Sequence, residues 1–115
     1  MKIQFILSTL IITTALSACT QSVPKCGDSQ VTTLVSEIAD EQMATQVGEE
    51  TANMLTYTVE AIRTTNTNEL TGSHECAADL IIGGNNGEEV GRGPITYTVE
   101  NTDDGESIYV SVFGL

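Results

Sequence analysis

The spacing of apolar residues changes once along this chain, and that change limits the folds open to it. Between residues 28 and 46 the apolar positions follow the three- and four-residue spacing of one helix face; they are Val31, Leu34, Val35 and Ile38. Asp28 or Ser29 stands where a helix N-cap is expected, and Gly48 where a helix ends. The sequence therefore predicts a helix over residues 28 to 46.

From residue 54 onward the apolar spacing becomes two, which is typical of β-strands. Four strands are predicted, over residues 54–63, 76–82, 95–101 and 107–113. On the first strand, Leu55, Tyr57, Val59 and Ala61 share one face. A polar turn over 64–73, a long glycine-rich loop over 83–94 and a tight turn at Asp103-Asp104-Gly105 separate the strands. This pattern predicts a small α+β domain with one N-terminal helix packed on a four-stranded antiparallel sheet.

The N-terminal segment that precedes this domain has a different composition. After Met1 and Lys2 comes an apolar run, which ends at Leu16-Ser17-Ala18-Cys19. This segment resembles the signal peptide of a bacterial lipoprotein, whose lipobox is Leu, a small residue, Ala or Gly, then Cys. The resemblance implies a signal peptide over residues 1–18, cleavage before Cys19, and a diacylglyceryl group on the Cys19 thiol. A retained transmembrane helix is an alternative, but 16 residues are short for a span of about 20; an ordinary secretory signal would leave Cys19 as an odd thiol.

The resemblance also implies a location. Residue 20 is Thr, not the Asp associated with retention at the inner membrane of enteric bacteria, which indicates the periplasmic face of the outer membrane. Residues 19–25 would then form the lipidated cysteine and a short tether, and residues 26–115 the domain. Six extended residues reach only about 20 Å, so the domain is expected to sit close to the lipid surface.

Lipidation of Cys19 would leave Cys26 and Cys76, an even pair in an exported protein, and such pairs typically form a disulfide. Cys26 precedes the predicted helix, so Cys76 must face the helix-covered side of the sheet. The alternation then turns these residues inward: Ala78, Leu80, Ile82, Ile95, Tyr97, Val99, Ile108, Val110 and Val112. The arrangement is similar in architecture to cystatin and NTF2-like domains, a likeness that carries no function.

The charge of the chain excludes one class of partner. The sequence has 16 acidic and four basic residues, and removal of the signal peptide takes away Lys2, which leaves a net charge near −13. Such a charge repels phosphate backbones, so nucleic acid is not expected as a partner. A basic protein partner is compatible with it, and solubility is the simpler explanation.

No arrangement of residues predicts catalysis, a metal site, a cofactor or a small-molecule substrate. His74 is the only histidine, and the second histidine that a zinc-protease motif needs is replaced by Ala78. A cysteine nucleophile would need Cys76 to be free. The turn around Asp103 lacks the acidic residue that would complete a calcium loop, because that position is Val112. We therefore expect a protein that is not an enzyme.

The face of the sheet turned away from the helix is predicted to be rich in Thr and Glu. Tyr109, Phe113 and Ile81 interrupt it, and we interpret them as a contact surface for another protein. The alternative is that the sheet curls or the long loop folds over them. Arg63, at a strand end, is a further candidate for a specific contact.

These features together give two hypotheses. The first is a membrane-anchored envelope lipoprotein that acts as a non-catalytic protein-binding or structural module near the membrane surface. The alternative is an acidic inhibitor or immunity-type protein that binds a basic hydrolase or toxin in the periplasm, and it is motivated by the net charge.

Overall fold

The predicted helix is present. The computed structural model describes residues 22–115, and in it helix α1 spans Ser29–Val47, followed by a one-turn helix α2, Glu49–Ala52. The buried side of α1 carries Val31, Val35 and Ala39. Gly48 ends the helix with φ of 94° and donates its N–H to the carbonyl of Ala44. Asp28 occupies the N-cap position, but its carboxylate accepts a hydrogen bond from the Lys25 N–H (3.0 Å) and none from the helix.

The sheet is a four-stranded antiparallel meander in the order β1-β2-β3-β4. The strands are β1 (Thr56–Thr67), β2 (His74–Gly83), β3 (Glu89–Asn101) and β4 (Ile108–Phe113). Each strand pairs with the next one along the chain, so β1 and β4 are the edges. The predicted fold class, one main helix on a four-stranded antiparallel sheet, is confirmed.

The predicted disulfide is also present. Cys26 and Cys76 are bonded, with 5.8 Å between their Cα atoms, and both are buried. Thr64 donates its Oγ1 hydrogen to Cys26 Sγ (3.3 Å), and the Tyr97 hydroxyl donates to the Cys26 carbonyl (2.8 Å). Burial raises the pKa of Tyr97. The disulfide therefore holds the segment before α1 against the inner face of the sheet.

The core lies between α1 and the inner face of the sheet, as the alternation predicts. The buried residues from the strands are Cys76, Ala78, Leu80, Ile95, Tyr97 and Val99, and three inward residues of β4 pack against them half-buried. Val23 joins this core, and a Cβ placed on Gly72 would lie 3.3 Å from Val23 Cγ2. The packed domain thus already includes Val23, which the sequence assigns to the tether.

Strand β1 is longer than predicted and contains an irregularity. Its register against β2 shifts between Glu60 and Arg63, and Ala61 has φ of 54°. An extra residue in one strand reverses the alternation beyond it. Ile62 consequently packs against the core and Ala61 is exposed, so the prediction that Ala61 faces inward is wrong.

The long loop predicted over 83–94 is wrong as well. The connection is a short turn over residues 84–88, closed by a hydrogen bond from the Gly84 N–H to the Glu88 carbonyl (2.7 Å), and β3 already begins at Glu89. Gly91 and Gly93 are therefore strand residues, paired with Ile82 and Leu80. Glycine carries no side chain to display an alternating pattern, which is why this part of β3 reads as a loop.

Candidate functional site

The surface with the clearest features of a binding site is the sheet face opposite α1, which we call the outward face. Residues directly opposite each other in an antiparallel pair lie on the same face. Because Tyr97 and Val99 point into the core, Thr96, Thr98 and Glu100 of β3 point outward. Their partners on β4 are Phe113, Ser111 and Tyr109.

Tyr109 and Phe113 are the large apolar side chains at the β4 edge of this face. They are 59% and 56% exposed, so neither curling of the sheet nor a loop covers them. They are four residue steps apart along the strand, which separates them by about 13 Å. Threonine and glutamate side chains of β3 lie beside them. The two exposed aromatic side chains therefore have polar neighbours on the side of β3.

Arg63 shares a cross-strand row with Phe113. The register places Arg63 opposite Ala77, Ala77 opposite Thr96, and Thr96 opposite Phe113. Three strand spacings separate the ends of this row by about 14 Å. Arg63 is exposed and its guanidinium donates to the Ala61 carbonyl (2.8 Å). One protein surface can span Arg63 and Phe113, although the two side chains do not touch.

Ile81 does not belong to this exposed surface. It is only 9% exposed, so the prediction that its side chain is exposed beside Tyr109 and Phe113 is wrong. Arg92 lies directly opposite it on β3, and the guanidinium of Arg92 bonds the Glu89 carboxylate (3.0 and 2.9 Å) and approaches Asp79 (3.7 Å). This places the Arg92 side chain beside Ile81 on the outward face. The hydrogen bond from Arg92 also lowers the pKa of Glu89.

Hydrogen bonds within the domain hold His74 and the β3–β4 turn, the two places considered for metal binding. His74 Nδ1 lies 3.0 Å from Thr67 Oγ1, across the end of the β1–β2 hairpin. In the β3–β4 turn, Asp104 accepts hydrogen bonds from Thr102 Oγ1 (2.6 Å) and from the Glu106 N–H (3.0 Å), and the Thr102 bond lowers the pKa of Asp104. Within residues 22–115, no group of three or more His, Cys, Asp or Glu side chains is placed to hold a metal ion.

The structure contains one feature that the sequence analysis missed, a cleft between the C-terminal half of α1 and the inner face of the sheet. Its volume is about 200 Å³. Residues that border it include Ala39, Met43, Tyr57, Leu80, Ile82, Gly93 and Leu115. The Tyr57 hydroxyl is buried with no hydrogen-bond partner among the described residues, and burial, followed by the charge of Asp40, raises its pKa. Gly93 leaves part of this space unfilled, since a Cβ placed on it would meet no atom within 4 Å, and this glycine was the signal available in the sequence.

No protein-family model matches the chain, and searches among curated proteins and solved structures find no match. Across residues 22–115, no helix has both the length and the apolar character needed to cross a membrane.

Proposed function

We propose that this chain is a non-catalytic envelope lipoprotein, anchored through lipid on Cys19 at the periplasmic face of the outer membrane, whose domain binds a protein partner. The observation that carries the binding role is the joint exposure of Tyr109 and Phe113 on one face of an edge strand. Aromatic residues are enriched at the centres of protein interfaces, where they contribute most of the binding energy. The anchor rests on the lipobox and on Thr20.

The surroundings of the two aromatics fit this role. Thr96, Thr98 and Glu100 border them on β3, as polar side chains border the apolar centre of an interface. Both rings stand on a hydrogen-bonded strand, so the backbone beneath them is already ordered and little backbone entropy is lost when a partner covers them. The domain does not need these two rings for its own packing, since the inward residues of β4 already pack against the core.

Replacing Tyr109 and Phe113 by alanine is expected to weaken partner binding by about 30-fold or more for each residue, as for interface hot spots. The partner can be identified with a photo-crosslinking amino acid placed at position 109 or 113 in the native membrane, and the affinity then measured with the purified pair. The stability of both variants should change by less than about 0.5 kcal/mol, because the side chains are exposed.

Val90 provides the matched control, since it is 61% exposed and lies on β3 beside the 84–88 turn, at the other end of the sheet. A crosslinker at position 90 should capture no specific adduct, and Val90→Ala should bind like the wild type. Adducts that are identical at positions 90, 109 and 113, or full affinity in Tyr109→Ala and Phe113→Ala, would reject the outward face of β4 as the binding surface.

A second candidate function is inhibition of a basic hydrolase or toxin. It is favoured by the carboxylates on the outward face, where Glu100 lies directly opposite Tyr109 and Glu60 directly opposite Asp79. Arg92 is engaged by Glu89 and Asp79 and offers little positive charge there. An inhibitor that binds through these acids should lose affinity by about tenfold or more between low salt and about 0.5 M salt. Binding that changes little with salt, measured by calorimetry, supports the aromatic contact instead.

A further inference from the structure

The chain enters the domain at the end of the sheet that holds two hairpin turns, and we call this the tether end. The turns are residues 68–73 between β1 and β2, and residues 102–107 between β3 and β4. A surface groove lies beside each of these turns, and Ser22 and Pro24 border both grooves. The burial of Val23 fixes this entry point to the domain.

Leu70 is the most exposed large apolar residue among residues 22–115, with 94% of its surface accessible, and it lies in the turn at the tether end. The turn has a defined geometry. Asn68 Oδ1 accepts the N–H groups of Leu70 (2.8 Å) and Thr71 (3.1 Å), and the Gly72 N–H donates to the Asn68 carbonyl (2.7 Å). These hydrogen bonds fix the backbone of the turn, and the Leu70 side chain is accessible at its surface.

The length of the connecting chain limits where a lipid on Cys19 can be. Cys19 precedes Ser22 by three residues, which span at most about 10 Å when extended. Val23 is buried next to Gly72, two residues from Leu70. A bilayer that holds the lipid of Cys19 must therefore lie near the 68–73 turn. A single exposed leucine is ordinary on a protein surface, but the position of Leu70 beside the bilayer gives its exposure a role.

We propose that Leu70 inserts into the lipid surface and orients the tether end toward the membrane; the inference rests on the proposed lipidation of Cys19. The contact is apolar and not electrostatic, because at the tether end Lys25 is outnumbered by Glu69 and the acidic residues of the 102–107 turn. The lipid chains hold the protein at the surface, and Leu70 selects the orientation. The strands then run away from the membrane, and the outward face of β4 is accessible from the side.

The chain contains no tryptophan, so one introduced indole reports its own environment. The mature lipoprotein carrying Leu70→Trp is reconstituted into phosphatidylcholine vesicles with brominated acyl chains, and the fluorescence quenching is measured. Val90→Trp is the control, since β2 alone separates the two ends of the sheet by about 30 Å. We expect strong quenching and a blue shift for Leu70→Trp and the fluorescence of a water-exposed indole for Val90→Trp.

A second pair of variants tests Leu70 itself, because tryptophan has its own preference for the membrane interface. Glu106→Trp places the probe in the other turn at the tether end, and this variant is compared with and without Leu70→Asn. Quenching at position 106 should be about twofold or more stronger with Leu70 than with Asn at position 70. The difference reflects the fraction of molecules whose tether end faces the membrane. Equal quenching with leucine and asparagine, or equal quenching at positions 70 and 90, overturns the orientation and leaves the anchor intact. An intact mass of the same preparation without acyl chains overturns both.

Discussion

Replacing both Cys26 and Cys76 by alanine is expected to lower the free energy of unfolding by about 4 kcal/mol, measured by urea denaturation of the soluble domain. The bond joins residues that are 50 positions apart, and its loss releases a long loop in the unfolded chain. Small domains have a total stability of only about 5–15 kcal/mol, so the loss is a large share of the total. Alanine is preferred to serine because both sites are buried and a serine hydroxyl would add an unpaired polar group.

Two controls separate the bond from its surroundings. Thr64→Val removes only the hydroxyl that donates to Cys26 Sγ and should cost less than about 1 kcal/mol. Reduction of the wild-type domain should reproduce the effect of the double variant. A double variant as stable as the oxidised wild type would show that the loop is already constrained without the bond, and the entropic explanation would fail.

The elements predicted correctly from the sequence are those whose side chains display their own periodicity. The helix shows it through Val31 and Val35, and the central strands through Cys76, Ala78, Tyr97 and Val99. Each of these elements has a single apolar face to bury, so the helix must pack on one face of the sheet. The cysteine pair indicates the same face. This is why the fold class and the disulfide could be anticipated from local patterns.

The errors occur where the backbone, and not the side chains, determines the structure. At Ala61 an irregularity changes the alternation, and nothing in the identity of the residue announces it. The glycines of β3 have no side chains to alternate, and Pro94 is tolerated because β4 has already ended opposite Thr96. Ile81 is buried and lies opposite Arg92 on the neighbouring strand, a relation that only the register reveals. Tyr109 and Phe113 are exposed as expected, and they stand on an edge strand that has a neighbouring strand on one side only.

The second large effect is expected for Tyr97. This side chain is the largest of those fully buried, lies opposite Cys76 on the neighbouring strand, and donates its hydroxyl hydrogen to the Cys26 carbonyl. Tyr97→Ala should lower the free energy of unfolding by about 3–5 kcal/mol through loss of packing alone. Tyr97→Phe keeps the ring and should cost about 1–2 kcal/mol, because the buried carbonyl loses its partner. Equal effects of the two replacements would contradict a packing role for the ring.

The burial of the Tyr97 hydroxyl also predicts how the stability of the domain depends on pH. Burial raises its folded-state pKa above the ordinary value of 10.0, so its stabilising contribution is present below about pH 10 and is lost as the pH rises through the folded pKa. The pKa of Tyr57 is raised in the same direction, so Tyr97→Phe should remove only part of the alkaline loss in thermal stability. Tyr109→Phe is the matched control, since its hydroxyl is on an exposed side chain, and it should leave the stability unchanged. The loss of thermal stability at alkaline pH could instead be identical in the wild type and in Tyr97→Phe. This result would mean that the Tyr97 hydroxyl ionises as readily in the folded domain as in the unfolded chain, and it would contradict the prediction.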